Sequence, residues 1–401
     1  MAKTYNMPQV NAKDFAQHIK NFVRMGNFSP VLGLGMAGIG KTELVKQIAK
    51  ELHIGYKTLR LVDKTETDLL GIPQSVDLLD PAGNKIKDTD GHYKTVTKYS
   101  PTSLLPDEKR DGEVGILVID EITSALPNVQ AVMYQLLDAD RSMGSYTLPP
   151  KWKIIMIGNG EDDGGTYQGI TPALINRCHA CFRIEPDYEA WKAWALNHNI
   201  HDTVLAFIKF SPEKLHMMDS DEVGVFPSPR SWALFSNTLK GYEQLAMEDG
   251  QKLSEFVIDQ IASSSVGASV GVEFATFYSY RNAMISPEDI MEGKVKPDAI
   301  SNLPNKETVY ITIQALVSSL KVAVGKHTAD DIPKDVFKKI VNALTWAVDI
   351  GNVRLDYAVS AIQDMVQIST IADIVITSDE IDEACPKFLQ FVNDNNIIFG
   401  N

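Results

Sequence analysis

The residues whose types and spacing most clearly suggest chemistry form a glycine-rich stretch near the start of the chain. It follows the pattern GxxxxGK[ST], with Lys41 and Thr42 in the last two positions. Backbone N–H groups of such a turn, with the N-terminus of the next helix, form a cradle for phosphate. The lysine would reach β- and γ-phosphates, and the hydroxyl would bind Mg²⁺. We assign nucleotide contact to Gly35, Met36, Ala37, Gly38, Ile39, Gly40, Lys41, Thr42 and Glu43.

A second motif places two adjacent carboxylates at the end of an apolar run. Ile116-Leu117-Val118-Ile119 leads directly into Asp120 and Glu121. A carboxylate at the C-terminal tip of a buried strand can hold Mg²⁺ through its water shell. The neighbouring carboxylate can then polarise an attacking water. We therefore predict a metal site at Thr42 and Asp120, and a catalytic role for Glu121.

Three further polar residues end or begin predicted elements. The run Ile154-Ile155-Met156-Ile157-Gly158 ends on Asn159, whose amide can orient a water or touch a γ-phosphate. Arg177 ends one predicted helix and Arg230 lies in the first turn of another. A guanidinium group stabilises the charge spread over a transferring phosphoryl group. Each arginine, taken alone, is equally compatible with a surface cation.

Strands and helices must alternate to position these residues. Val31 to Leu34 reads as a buried strand, and Leu44, Val45, Ile48, Ala49 and Leu52 form one stripe of the following helix. Further strands at 56–62, 115–119 and 153–157 predict a parallel α/β sheet. Beyond residue 190 the pattern is almost wholly helical. Residues 71–113 are rich in Asp, Gly, Pro, Lys and Thr, which indicates a surface insertion with a hairpin. Residues 161–165, Glu-Asp-Asp-Gly-Gly, are predicted to form a solvated loop.

Length and charge limit the classes of function. The chain has 401 residues, which predicts more than one domain, and 38 Lys and Arg against 52 Asp and Glu give a net charge of −14. This balance disfavours a dedicated nucleic-acid binder and an anionic membrane surface. The absence of an apolar signal segment and of a long apolar run predicts a cytoplasmic protein that does not span a membrane. The 3 cysteines form no disulfide framework.

In the order of these motifs the chain resembles the AAA+ ATPase superfamily, and within it the MoxR-type branch. Walker A corresponds to Gly35–Thr42, Walker B to Ile116–Glu121 and sensor 1 to Asn159. The arginine finger corresponds to Arg177, with Arg183 as a near alternative, and sensor 2 to Arg230. The segments Asp68-Leu69-Leu70-Gly71 and Tyr146-Thr147-Leu148-Pro149-Pro150-Lys151-Trp152 are similar to the MoxR pattern.

The resemblance implies an α/β fold in which an AAA+ αβα P-loop core with a parallel sheet is followed by a helical lid and a C-terminal helical region. We expect the core at 1–205 with a hairpin inserted at about 71–113, the lid at 206–290, and a region of unknown role at 291–401. ATP and Mg²⁺ would be bound between subunits of a homo-oligomeric ring, usually a hexamer. Arg177 would act on the neighbour's γ-phosphate, and the other site residues in cis.

Three functions remain open at this point. The first is a chaperone-like ATPase that remodels or activates a partner protein, which the resemblance suggests contains a von Willebrand factor A domain. The second is a nucleotide-gated switch, in which ATP binding assembles a scaffold and hydrolysis resets it. The third is a nucleic-acid translocase, against which the net charge argues because the insertion's lysines alternate with aspartates.

Overall fold

The computed structural model describes residues 7–26, 30–100, 102–161, 163, 167–218, 224–377, 381, 384–395 and 397. The chain divides into two compact units, Met1–Asp187 and Tyr188–Asn401. The three-part division at residues 205 and 290 stays a prediction. Each unit encloses its own buried apolar side chains.

The first unit is built on a six-stranded sheet in which every strand pair is parallel. The predicted parallel α/β architecture, followed by a helical region, is confirmed. In spatial order the strands are β1–β10–β2–β9–β6–β3. Their bounds are β1 Gln9–Val10, β2 Val31–Gly35, β3 Gly55–Arg60, β6 Val114–Asp120, β9 Lys151–Gly158 and β10 Ala180–Ile184.

Helices cover both faces of this sheet, because its inner strands are apolar on both sides. One face packs on α1 (Ala12–Arg24) and α2 (Lys41–Glu51) through side chains such as Val118 and Ile155. The opposite face carries the alternate residues of the same strands, such as Leu117 and Ile154, and packs on α5 (Pro127–Leu137). The remaining helices of the unit are short: α3 Glu66–Leu70, α4 Glu108–Asp111 and α6 Pro172–Ile175.

Two antiparallel hairpins project from this unit. The first pairs β4 (Pro73–Asp77) with β5 (Thr95–Tyr99), inside the segment where the sequence predicts an inserted hairpin. The second is short and pairs β7 (Ser142–Met143) with β8 (Tyr146–Thr147). The first consists largely of polar and exposed residues, as expected of a surface hairpin, whereas the second buries Met143.

The second unit is helical in its described part, and one continuous cluster of buried apolar residues forms its core. The helices are α7 Tyr188–Asn197, α8 Asp202–Phe210, α9 Pro229–Glu248, α10 Glu255–Val266, α11 Ala268–Ser279, α12 Pro287–Met291, α13 Lys306–Val324, α14 Lys334–Ile350, α15 Leu355–Met365, α16 Ser369–Thr377 and α17 Lys387–Asp394. Helix α13 is long and apolar enough to cross a membrane, and α15 with α16 passes the same test as a bent pair. Within α13, 61% of the apolar 18-residue stretch is buried inside the protein. The helix therefore also fits the description of a core helix in a helical domain.

This core also contains two buried ionic clusters. In the first, the carboxylate of Asp364 is fully buried between the ammonium groups of Lys192, at 2.5 Å, and Lys209. In the second, Nε2 of His201 donates to Oε2 of Glu243 at 2.9 Å, and Nδ1 lies 3.0 Å from Oδ1 of Asp202. Both clusters join helices that are far apart in sequence, so they cross-link the helical core.

Candidate active site

The glycine-rich turn connects the fully buried strand β2 to helix α2. Gly38 and Gly40 have φ angles of 79° and 88°, which are left-handed conformations that favour glycine. Gly40 precedes the first residue of α2, and a Cβ atom built there would enter open space. The backbone therefore leaves room in front of the helix N-terminus, as an anion cradle requires.

Lys41 is largely buried at the first position of α2, and its ammonium group reaches back over the turn. Nζ donates hydrogen bonds to the carbonyl oxygens of Gly35 at 2.7 Å and Met36 at 2.8 Å, and to Oδ1 of Asn159 at 2.9 Å. All three acceptors are neutral. A phosphate oxygen that took the place of one of these acceptors would bring a negative charge to the ammonium group.

Thr42 and Asp120 meet at the tips of neighbouring elements. The Thr42 hydroxyl donates to Oδ2 of Asp120 at 3.1 Å. Burial raises the pKa of the Asp120 carboxyl, although the bond from Thr42 acts in the opposite direction. Two ligands at adjacent corners of a Mg²⁺ octahedron lie about 3 Å apart, given Mg–O distances of about 2.1 Å. The hydroxyl and the carboxylate therefore fit a magnesium ion that is completed by water and phosphate oxygens.

The described residues contain no group of three or more His, Cys, Asp or Glu side chains arranged to hold a metal ion. This agrees with the way Mg²⁺ is usually bound in phosphoryl-transfer sites, by one or two protein oxygens together with substrate phosphates. A metal held at Thr42 and Asp120 would consequently depend on the bound nucleotide. It would supply positive charge to the phosphates, and the rest of the site is built from the chain's own groups.

Glu121 is placed by an unusual backbone turn directly after β6. Its φ angle is 60°, a left-handed conformation that costs a residue with a side chain about 1–2 kcal/mol. The turn is held by its own N–H, which donates to Oδ1 of Asp120 at 3.1 Å, and by the Ser124 hydroxyl, which donates to Oε2 of Glu121 at 3.1 Å. Strain of this kind is common at functional sites, where the surrounding structure holds it in place.

Asn159 follows β9, which lies between β2 and β6 in the sheet. Its backbone N–H donates to Oγ1 of the fully buried Thr123 at 3.1 Å. A Cβ at Gly158 would approach that hydroxyl oxygen to 2.6 Å, so the chain passes too close for any other residue. Thr123 thus fixes the backbone of Asn159, and no motif in the sequence pointed to it.

The loop after Asn159 corrects one sequence-based expectation. Residues 161–165 were predicted to form a solvated loop, but Asp163 is only 1% exposed. Its carboxylate accepts a hydrogen bond from Gly160 N at 2.6 Å and pairs with Arg183 of β10. The arginine neutralises the buried carboxylate, which is the physical reason that an acidic residue can be buried here. Residues 162, 164 and 165 lie outside the described residues.

Arg177 lies just beyond α6 and contacts residues of its own chain. Its Nε donates to Oδ1 of Asp138 at 2.7 Å, and Nη1 donates to the carbonyl oxygen of Ala173 at 2.9 Å. The guanidinium also lies 4.9 Å from the ring centre of Tyr134. The neighbouring carboxylate raises the pKa of Arg177. These contacts involve neither Lys41 nor Asn159.

Arg230 and Glu43 lie at the beginnings of helices. Arg230 is exposed in the first turn of α9, which belongs to the second unit. Glu43 is exposed in the first turn of α2, and its carboxylate lies 3.7 Å from the ammonium of Lys46. The structure therefore brings together Lys41, Thr42, Asp120, Glu121 and Asn159, and it places Arg177 and Glu43 outside that hydrogen-bonded group.

Comparison with known protein families identifies the domain that carries this site. Residues 30–178 match the family described as AAA domain (dynein-related subfamily). The matched segment contains the glycine-rich turn, Asp120 and Glu121, Asn159 and Arg177. The chain therefore contains an AAA+ ATPase domain with a P-loop fold. No curated protein matches the chain significantly.

Solved structures with detectable similarity are distant. A mutant of Thermotoga maritima RuvB aligns over 74% of this chain and 81% of its own, with 14% identity and a TM-score of 0.35. A closed state of Hsp104 with ATPγS and casein aligns over 71% of this chain and 46% of its own, with 16% identity and a TM-score of 0.33. The family match, and not these distant similarities, identifies the domain.

Proposed function

We propose that this chain hydrolyses ATP in the presence of Mg²⁺, as one subunit of a homo-oligomeric ring of six that remodels or activates a partner protein. The observation that carries the proposal is the meeting of Lys41, Asn159, Thr42 and Asp120 through hydrogen bonds of 2.9 and 3.1 Å. These residues follow three strands that are neighbours in one parallel sheet. Ligands of such sheets bind at the carboxyl ends of the strands.

The chemistry follows from the position of each group. Residues 35–43 bind the triphosphate, and Lys41 neutralises charge on its β- and γ-phosphates. Glu121 accepts a proton from the attacking water, whose oxygen forms the new bond to the γ-phosphorus. The bond to the bridging oxygen breaks, which releases ADP and phosphate. Asn159 orients the water or the γ-phosphate, because its amide is held beside the Lys41 ammonium at 2.9 Å.

A second subunit would complete the site. We assign Arg177 as the group that reaches the neighbour's γ-phosphate, and Arg230 as the group that senses nucleotide from the helical region. A trans arginine of this kind contributes about 10³–10⁵ in rate. Because Arg177 is bound to Asp138 in the single chain, it would have to exchange this partner for a phosphate when the ring forms.

The partner is assigned by resemblance. MoxR-type ATPases work with proteins that contain a von Willebrand factor A domain, and we propose a partner of that class. We propose a cytoplasmic location, which is consistent with three free cysteine thiols and no disulfide. The net charge of −14 supports a protein partner over nucleic acid or a membrane.

The decisive experiment compares Glu121→Gln with a matched variant, Glu113→Gln. Glu113 precedes the same strand and is 68% exposed, far from the carboxyl end of the sheet. We expect Glu121→Gln to bind ATP with Mg²⁺ in calorimetry and to lose turnover by about 10²-fold or more. Glu113→Gln should match the wild type in both. Normal turnover in Glu121→Gln, or no ATP binding by the wild type, would refute the proposal.

The need for a neighbouring subunit is tested by dilution. Turnover per subunit should rise steeply with protein concentration, in parallel with the oligomer measured by light scattering. Arg177→Ala should bind ATP normally and lose hydrolysis at every concentration. Turnover that does not depend on concentration would show that the site is complete in one chain.

The contact between Arg177 and Asp138 also favours a second candidate function, a nucleotide-gated assembly switch. In that case ATP binding would release Arg177 and build a scaffold, and hydrolysis would only reset it. The Glu121→Gln ring distinguishes the two functions. A switch would keep its biological activity in this variant, whereas a motor would lose it although the ring persists.

A further inference from the structure

An ion pair beside the glycine-rich turn contains Arg183, which the sequence analysis gave only as an alternative to Arg177. Arg183 of β10 donates from Nη1 to Oδ2 of Asp163 at 2.6 Å, and its Nη2 bonds the other oxygen, Oδ1. This bidentate geometry gives the strongest kind of hydrogen-bonded arginine–carboxylate pair. Asp163 is 1% exposed, and 29% of the Arg183 side chain is exposed. The buried carboxylate of Asp163 therefore holds the more exposed guanidinium of Arg183 in place.

Asp163 uses its remaining hydrogen-bonding groups on two segments of the active site. Its backbone carbonyl oxygen accepts from Ala37 N, in the glycine-rich turn, at 3.2 Å. Its Oδ2 atom accepts from Gly160 N, directly after Asn159, at 2.6 Å. One residue thus connects the phosphate cradle to the polar residue that lies beside Lys41.

The packing around Gly160 shows how closely these groups are fitted. A Cβ atom at Gly160 would lie 2.2 Å from Nη1 of Arg183 and 2.5 Å from Oδ2 of Asp163. Arg183 itself is held in register by β10, where it lies opposite Leu34 of β2, one residue before Gly35. The position of the guanidinium is therefore fixed by the same strand that leads into the cradle.

We propose that Arg183 and Asp163 form a brace that sets the position of Asn159 relative to the glycine-rich turn, so that Arg183 is a cis-acting positioning residue for hydrolysis. The inference rests on the proposed ATPase function. It also distinguishes the two arginines near this strand: Arg183 acts within its own subunit, whereas Arg177 acts on a neighbour. Neither residue of the brace needs to touch the nucleotide.

The physical consequence is a change in rate rather than in affinity. Most of the binding groups, the N–H donors and Lys41, belong to the cradle and stay in place when the brace is broken. The amide of Asn159 is instead displaced from the reacting atoms. A misplacement of about 1 Å at a catalytic group can cost about 10²-fold in turnover.

The first test measures ATP affinity and turnover separately in Arg183→Gln, Arg183→Lys and Gly160→Ala. We expect Arg183→Gln to lose turnover about 10–100-fold, with ATP affinity within a few-fold of the wild type. Arg183→Lys should recover part of the loss, because lysine keeps the charge but cannot bond both oxygens. Gly160→Ala should reproduce the loss without changing any charge, because its methyl group displaces the pair.

Glu185→Gln is the matched control. Glu185 is the second carboxylate near Arg183, with Oε1 3.4 Å from Nε, and it is 38% exposed. This variant should keep wild-type turnover. The inference would be overturned if Arg183→Gln retained full turnover, or if its loss were explained entirely by weaker ATP binding.

The second test mixes subunits, because cis and trans arginines give opposite results. A mixture of Arg177→Ala and Lys41→Ala subunits should recover activity. In a mixed ring, the intact Lys41 of an Arg177→Ala subunit can lie next to the intact Arg177 of a Lys41→Ala subunit. Arg183→Gln mixed with Lys41→Ala should show no more than the reduced turnover of Arg183→Gln itself, because each subunit has a defect in its own site. Recovery in the second mixture would overturn the brace and make Arg183 the trans residue.

The two mixtures also separate this inference from the function on which it rests. If Arg177→Ala with Lys41→Ala shows no recovery while both variants assemble, the trans arrangement in the proposed function is wrong. The comparison of Arg183→Gln with Glu185→Gln still decides the brace in that case, since it needs only the turnover of each variant alone.

Discussion

The two units of this protein bury charged groups in different ways. In the first unit, Lys41 is buried against neutral oxygens and Asp120 against a hydroxyl, at the open end of a sheet. In the second unit, Asp364 lies between two ammonium groups, and His201 lies between two carboxylates. Lys41 and Asp120 lie where the proposed nucleotide would bind, whereas the buried charges of the second unit, like the Asp163–Arg183 pair of the first, are paired with each other.

This difference predicts a separation of effects. Substitution of Lys41 should change activity with little effect on folding, because the charge that it is proposed to meet belongs to the nucleotide. Substitution in the second unit should change the free energy of unfolding, because a buried partner loses its counter-charge. Three of the four predictions below compare a variant with a matched control on the same or a neighbouring element, and the fourth concerns a single exposed pair.

The largest effect is expected for Lys41→Ala. It removes the ammonium group that would stabilise the phosphates, so ATP binding should be lost and turnover should fall by about 10²–10³-fold or more. Thermal unfolding should change little. Lys46→Ala, on the exposed side of the same helix, is the control and should bind ATP normally. Full ATP affinity in Lys41→Ala would contradict the assignment of the cradle.

Asp364→Ala should have the largest effect on stability. Burial alone would raise the pKa of this carboxyl, but the Lys209 and Lys192 ammonium groups outweigh it and hold the pKa below its usual range. Removal leaves two buried cations without their counter-charge, which costs about 3–5 kcal/mol. Urea unfolding measures the loss. Asp356→Ala, 68% exposed on the same helix, should be nearly neutral. ATP affinity below the unfolding transition should be preserved.

A smaller effect, which depends on pH, is expected at His201. Burial alone would lower its pKa, but hydrogen bonds to Asp202 and Glu243 outweigh burial, and the pKa is raised above 6.5. Arg281 and Tyr278 face the same carboxylates. A raised histidine pKa stabilises the fold fully below the unfolded value, and this contribution is lost as the pH rises through the folded value.

The test compares urea unfolding of the wild type and His201→Gln between about pH 6 and pH 9. The wild type should be more stable by about 1–3 kcal/mol at the low end, as for hydrogen bonds to charged groups, and the difference should shrink as the pH rises. His198→Gln, an exposed histidine, should show no such trend. A difference that is constant with pH would mean that His201 is neutral in the fold.

The smallest effect is expected for the exposed pair of Glu43 and Lys46 in α2, whose charged atoms lie 3.7 Å apart. Such pairs contribute about 0.2–1 kcal/mol at most. Glu43→Gln should therefore leave the unfolding free energy almost unchanged. Its effect on ATP affinity decides whether Glu43 belongs to the cradle, as the sequence predicts, or only continues the helix. An unchanged affinity would remove it from the site.

The sequence predicted those parts of the site that depend on local patterns. The strands that end at Gly35 and Asp120, and the strand just before Asn159, were visible as apolar runs, and parallel strands bring their carboxyl ends to one edge of a sheet. The Gly35 carbonyl oxygen and the Asn159 side chain accept hydrogen bonds from Lys41, and the Asp120 carboxylate accepts one from Thr42. The sequence was sufficient to predict these residues as one site, because a parallel sheet brings the ends of its strands together without other contacts.

Contacts between distant residues could not be predicted in this way. The composition of residues 161–165 suggested a solvated loop, and only the pairing of Asp163 with Arg183, twenty residues later, explains its burial. Thr123 and the partner of Arg177, Asp138, were missed for the same reason. The ionic clusters of the second unit join distant residues such as Lys209 and Asp364, which lie 155 positions apart, and no local pattern records such a pair.

The left-handed backbone at Glu121 has a consequence for engineering. Glycine adopts this conformation without strain, so a search for heat-resistant variants would favour replacement of Glu121 by glycine. Such a replacement would also remove the carboxylate that is proposed to activate water. Libraries screened only for thermal tolerance would thus be enriched in inert proteins. A screen that also demands phosphate release would keep the glutamate and reveal how much thermal tolerance this protein gives up to hold it there.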